Sequence, residues 1–196
     1  MITIRQEQPS DVGTREALID EAFGEARTRK SSERVREDRL SAEGLAFVAA
    51  DGKRMVGTAR LWNIACGNGQ SALLLGPVAV TDDSRNRGIG TALVRRAVEA
   101  ARKLGHAAIV LVGDAPYYSR FGFSDEKTGA LWMPGPFERH RLLGLELTPG
   151  ALDGARGMIG ATGRLTPKPD LTALVVQELA PDRRSVRARG IRPRAA

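Results

Sequence analysis

Two short stretches hold the residue types best able to do chemistry. In the first, Arg85-Asn86-Arg87-Gly88-Ile89-Gly90-Thr91, two glycines stand one residue apart among arginines, directly before a long amphipathic run. A helix starting there leaves its first N–H groups unpaired and carries partial positive charge at that end. Glycine removes the Cβ atoms that would hold an anion away, and arginine adds charge-assisted hydrogen bonds. The chemistry this favours is capture of a phosphate or pyrophosphate. The second stretch, "YYSRFGF" at 117–123, supplies Tyr117 and Tyr118, whose phenols can donate a proton.

Other chemistries are poorly supplied. No G-x-x-x-x-G-K-[ST] run exists, and a dinucleotide fingerprint would need a third glycine where Leu93 stands. With His106, His140 and Cys66 as the only histidines and cysteine, neither a metal cluster nor an internal disulfide is expected. Cys66 has no evident base partner for a covalent route. His106, beside Gly105, reads as a cation favourable to a helix C-terminus.

The elements that must position these stretches follow from periodicity. "ITIRQE" alternates as a half-buried strand does. "PSDVGTREALIDEAFG" reads as a helix capped by Ser10 or Asp11, with Val12, Leu18, Ile19, Ala22 and Phe23 on its apolar face. "SERVREDRLSAE" reads as a second, charged helix burying Val35 and Leu40. Two β-rich runs joined at Asp51-Gly52 form a hairpin, and "GNGQ" turns the chain into the strand "SALLLGPVAV". Its internal Gly76-Pro77 marks an edge or a bulge, because proline cannot donate into a ladder. After the glycine pair, Ile89, Leu93, Ala97, Ala101 and Leu104 share a helix face, with Val94 and Val98 beside them, and Gly105 ends the helix. "AAIVLVGD" is a strand buried on both faces, "APYYSRFG" a helical turn or two, and "LLGLEL" a last strand. Strands alternate with helices in the middle of the chain and adjoin one another at its ends. That order implies a mixed, largely antiparallel α/β (α+β) sheet.

Arg85-Asn86-Arg87-Gly88-Ile89-Gly90 also matches [QR]-x-x-G-x-[GA], the acetyl-CoA motif of the GNAT N-acetyltransferases. With the interrupted strand before it and the helix, strand and "YYSRFGF" after it, residues 2–148 resemble that family, in its bacterial subgroup with a "YYxRFGF" segment. The resemblance implies a sheet of about seven strands flanked by helices and split open between 73–80 and 107–113. Acetyl-CoA would be the co-substrate, with no metal. Its pantetheine arm would pair with backbone near Val78, Ala79 and Val80, and its pyrophosphate would sit in Arg85, Asn86, Arg87, Gly88, Ile89, Gly90 and Thr91. Direct transfer to a primary amine of a small molecule or peptide requires a base, an oxyanion site and an acid for the leaving thiolate. The resemblance assigns the acid to Tyr118, while Tyr117 reads as a ring-buried packing residue. The oxyanion falls to backbone N–H groups near Gly76–Val78. The interrupted strand holds no carboxylate, which leaves Glu21, Glu25 and Asp114 as weak candidates for the base. The acceptor would enter between segments 20–43 and 124–141, the second offering Trp132, Met133 and Phe137.

Residues 149–180 read as a Gly/Pro-rich surface linker followed by a short apolar helix over 171–180. That helix is too short to stand alone, so it docks on its own domain or on a second subunit, as in a homodimer. The last sixteen residues carry six arginines against one aspartate, so most of the net +7 sits there. They read as a disordered basic tail that leaves the body only mildly basic. An arm on nucleic acid is the alternative, consistent with a catalytically weak CoA-binding regulator rather than an enzyme. No apolar run suits a membrane span and no secretory signal is legible, so a cytoplasmic location is expected.

Overall fold

A computed structural model describes residues 1–167, the side chains of Glu25 and Ala26 excepted, and Met1–Leu165 form one compact unit. The expected helix at 171–180 and the arginine-rich tail lie outside the described residues. The chain order is β1 (Ile2–Gln6), α1 (Val12–Phe23), α2 (Ser31–Arg36), β2 (Ala46–Asp51), β3 (Arg54–Ala65), β4 (Ser71–Val80), α3 (Ile89–Lys103), β5 (Ala108–Val112), α4 (Ala115–Tyr118), β6 (Leu131–Trp132), β7 (Leu142–Glu146), β8 (Gly157–Met158) and β9 (Gly160–Ala161). Among the described residues no helix is long and apolar enough to cross a membrane.

The main sheet has seven strands in the order β1-β2-β3-β4-β5-β7, with β9 paired to β3. Every pairing in it is antiparallel except β4 with β5. That parallel contact is brief, joining only Leu73 to Ile109 and Leu74 to Val110. Beyond it the two strands part and the sheet opens, as the sequence resemblance implied.

Helix α3 covers one face. Its apolar stripe buries Leu93, Val94, Ala97 and Ala101 against Phe47, Val56, Leu73 and Leu111. Gly105 (φ 79) closes it: the N–H of Gly105 bonds to Arg102 O and that of His106 to Ala101 O, a Schellman ending. Leu104, expected on the buried face, is 55% exposed because the helix stops at that residue. On the other face α1 buries Leu18 and Ile19 against Val48, Met55 and Ala79. Val12 is exposed, since it opens the helix before its stripe meets the sheet. Helix α2 stops at Arg36, where Glu37 turns extended and Asp38 takes a left-handed φ of 54. Leu40 therefore falls in a loop.

Residues 149–165 correct the linker reading. Leu152, Ala155 and Ile159 are buried with Trp62, Leu74, Leu131 and Leu142, and β9 extends the sheet. One of the glycines that suggested a linker, Gly157, serves tight packing instead. The Gly157 Cα lies 2.7 Å from where a Cβ on Gly67 would stand, so neither residue tolerates a side chain. The compact unit thus runs to Leu165 rather than ending at 148.

Candidate active site

The glycine pair sits where β4 hands the chain to α3. Gly88 is the N-cap residue, in the left-handed region at φ 76, and Asn86 is also left-handed at φ 61. No side chain caps the helix, and the first helical bond is Ala92 N–H to Gly88 O. The N–H groups of Ile89, Gly90 and Thr91 consequently have no partner among the described residues. They border a concavity lined by Val80, Arg85, Asn86, Gly88, Tyr117 and Arg120. A Cβ built on Gly88 would meet nothing within 4 Å, so this backbone is open to a ligand. One built on Gly90 would stand 3.0 Å from the Tyr117 hydroxyl.

Two arginines of the expected cradle behave differently. Arg85 lines it, though its guanidinium also pairs with Asp82 at 2.8 Å. Arg87 does not line it: beyond the left-handed turn at Asn86 its side chain reaches Asp51 at 3.3 Å. Arg120, stacked on the Tyr117 ring at 4.7 Å, supplies a cation the sequence did not single out.

A second cleft lies at the opening between β4 and β5. Its floor is Leu75, Gly76, Pro77, Val78, Val112 and Gly113, and its walls come from α1, α2 and the segment between them. Strand β4 and helix α4 serve both hollows, since Val80 and Tyr117 face the cradle while Val78 and Tyr118 face the cleft. The β3–β4 ladder explains which backbone is free. Thr81 N–H bonds to Val56 O, so by antiparallel alternation Ala79 spends its polar groups on Thr58. Val78 and Val80 turn theirs toward the open edge. Ala79, expected to offer backbone to a ligand, is committed to the sheet.

The bulge is where the sequence put it: Gly76 and Pro77 together stand opposite Arg60 in the ladder. Pro77 has no N–H, and the Gly76 carbonyl accepts from Trp62 Nε1 at 2.5 Å. Of the backbone donors expected there for an oxyanion, the N–H of Val78 is the one turned to the cleft.

Tyr118 closes the cleft from α4, where Asp114 O accepts the N–H groups of both tyrosines at 3.0 Å. The two rings stand edge to face, 4.9 Å between centroids, and so aim apart. A Cβ on Gly113 would fall 2.3 Å from Tyr118 Cε2, which means the ring rests on bare backbone. Burial, reinforced by Tyr117 and opposed by the Arg141 charge, pushes the Tyr118 phenol up to about 12. Its hydroxyl makes no hydrogen bond among the described residues.

Among the weak base candidates only Asp114 lines this cleft; Glu21 is exposed elsewhere on α1, and the Glu25 side chain is outside the description. Glu33, which the sequence gave no reason to single out, lines it too, bound to Arg36. Trp132, Met133 and Phe137 do not line it. Met133 is buried in the core, and Trp132 stacks on Arg139 at 4.4 Å. Burial holds the His106 imidazole below its usual range, which works against the helix-end cation expected there. Burial also pushes the Cys66 thiol up, against nucleophilic use.

Comparison with known proteins gives this geometry a context. A family model described as "Acetyltransferase (GNAT) family" matches residues 14–123. The "Uncharacterized N-acetyltransferase YhbS" of Escherichia coli (strain K12) is 30% identical over 164 residues, covering 80% of this chain and 93% of that protein. The crystal structure of E. coli YhbS in complex with CoA superposes with a TM-score of 0.69 at 28% identity, over 82% of this chain and 89% of that one. A Brucella melitensis GNAT acetyltransferase in complex with acetyl-CoA shares the fold, at a TM-score of 0.58 and 23% identity, over 87% of this chain and 94% of that one.

Proposed function

Because the chain belongs to the GNAT family of acetyltransferases, we propose that it moves the acetyl group of acetyl-CoA directly to a primary amine, with Tyr118 beside the reacting centre. One observation carries the reading: the sheet opens at β4–β5, and that opening runs from an unpaired helix N-terminus to the half-buried phenol of Tyr118. Diphosphate oxygens of CoA suit the N–H groups of Ile89, Gly90 and Thr91, with Arg85 and Arg120 as counter-charges. The pantetheine amides suit the free backbone edge at Val78 and Val80. Arg87, whose side chain pairs with Asp51, and Ala79, whose backbone pairs with Thr58, are given no contact in this reading.

Acetyl-CoA supplies the electrophilic carbonyl and a thiolate leaving group. The chain's own part is to orient and to stabilise. The Val78 N–H is positioned for negative charge on the carbonyl oxygen. Tyr118, with its phenol raised, stays protonated and donates toward the departing sulfur. Asp114 is the carboxylate of the cleft with no ion pair among the described residues, so it is the group available to take a proton from the amine, directly or through water.

The test is a thiol-release screen of amine acceptors with acetyl-CoA, beside calorimetry of CoA binding. Amine-dependent thiol release supports the reading. Tight CoA binding with only slow, acceptor-independent hydrolysis would instead favour a CoA-binding regulator.

A further inference from the structure

The cleft below Tyr118 carries more positive charge than a neutral thioester arm requires. Arg27, Lys30, Arg36 and Arg141 line it against only Glu33 and Asp114. Their pairing is uneven. Arg27 is satisfied by Glu16 at 2.8 Å and Asp20 at 2.5 Å. Arg141 reaches a carboxylate, Glu138, only at 3.6 Å. Lys30 makes no ion pair among the described residues and rests over the Phe23 ring at 4.5 Å. Burial first, then the charges of Arg141 and Arg36, hold its ammonium below the usual range.

Arg36 is the most confined of the four. Its side chain is 7% exposed, one nitrogen binds Glu33, and its Nε is buried with no hydrogen-bond partner. A Cβ on Gly76 would lie 3.6 Å from its Nη1, which sets the guanidinium against the bulge at the cleft floor. A buried donor left unmade costs about 1–3 kcal/mol, more for a charged group, so native structures rarely keep one without a bound water, ion or ligand nearby. The fork beside Nε is completed by Nη2, which Glu33 holds, so the donors this guanidinium sets at the cleft floor are those of Nη1, and a carboxylate oxygen is an acceptor that suits them.

We propose that this cluster is an anion subsite, and that the acceptor is an amine bearing a carboxylate, an α-amino acid or a close analogue. Arg36 grips the carboxylate, Lys30 and Arg141 add attraction, and the amine is left toward Tyr118. The same charges repel polycationic amines. The proposal rests on the acetyltransferase reading above and narrows its substrate.

The experiment compares acceptors at saturating acetyl-CoA by thiol release: α-amino acids, their C-terminal amides, O-phosphoethanolamine and spermidine. Each amide keeps the amine and loses the negative charge. The expected result is a kcat/KM about 10- to 100-fold higher for the acid than for its amide, the worth of charged hydrogen bonds. In Arg36→Gln that preference disappears through KM, while CoA affinity measured by calorimetry is retained. Amides or spermidine turning over as well as the acids overturns the subsite and leaves the acetyltransferase reading standing. Preference for O-phosphoethanolamine overturns the carboxylate assignment. If no amine turns over, the acetyltransferase reading fails, and calorimetry of amino acids into CoA-loaded protein then judges the subsite, absent binding overturning it as well. The acid–amide comparison in the unaltered protein stands even if Arg36→Gln does not fold.

Discussion

Replacing Tyr118 by Phe removes one oxygen, and the structure sets both the size and the pH signature of the effect. The phenol lies near 12, whereas a thiol like that of CoA lies near 8.5, so full transfer of the proton to the thiolate is uphill by roughly 5 kcal/mol. The hydroxyl therefore acts mainly as a hydrogen-bond donor to developing negative charge. Losing one such preorganised donor costs about 2.7–4 kcal/mol, a fall in kcat of about 10²–10³. Acetyl-CoA affinity stays, because the ring still rests on Gly113. Stability stays as well, since the hydroxyl bonds to nothing among the described residues. The raised phenol adds a sharper signature. Its protonated form persists until the pH approaches 12, so kcat rises as the acceptor amine loses its proton and shows no falling limb near pH 10. The assay is steady-state thiol release across pH for wild type and Tyr118→Phe. Turnover within a few-fold of wild type in the variant, or a falling limb near 10 that Tyr118→Phe abolishes, would refute the reasoning. Tyr117→Phe is the control, and it is expected to weaken CoA binding mildly rather than kcat.

Other perturbations test the scaffold around this group. Gly113→Ala inserts a methyl 2.3 Å from Tyr118 Cε2, so kcat should fall at least as far as in Tyr118→Phe, and a crystal structure should show the ring displaced. Gly88→Glu brings a carboxylate to an open, left-handed helix N-cap; calorimetry should show CoA binding lost while circular dichroism shows the fold kept, and unchanged affinity would remove the diphosphate assignment. Glu7 is buried between Arg15 and Arg60, each 2.5 Å away, so Glu7→Gln leaves two confined cations underpaired and should cost about 3 kcal/mol in urea unfolding. Asp11, held down to about 2 chiefly by its hydrogen bond from Arg5, contributes stability that is present above its unfolded value and lost as pH falls through 2. The melting temperatures of wild type and Asp11→Asn should therefore differ at pH 6 and converge toward pH 2; a gap that persists there contradicts the assignment.

Periodicity and local chemistry were enough to read most elements from the chain alone. The stripe of α3, the turns at Gly52 and Gly105 and the bulge at Gly76-Pro77 all depend on neighbours within a few residues, where backbone preference and apolar spacing act. The glycine pair was legible for the same reason, because a helix N-terminus is a local object. Long-range packing decided the rest. The glycines at 149–165 imply a surface linker by composition, yet Leu152, Ala155 and Ile159 find an apolar face prepared by strands distant in sequence. Arg87 and Arg85 are alike in sequence, and a carboxylate from the β2–β3 turn, Asp51, draws one of them away from the cradle. Tyr117 and Tyr118 are adjacent in the chain, but only the folded α4 sends one phenol to the cradle and the other to the cleft. The sequence around α2 reads only as a charged helix burying Val35 and Leu40, and the fold alone buries Arg36 beside Gly76. A side chain's partner is set by whatever the fold brings against it, and for a charged group that partner decides between solvent, ion pair and ligand.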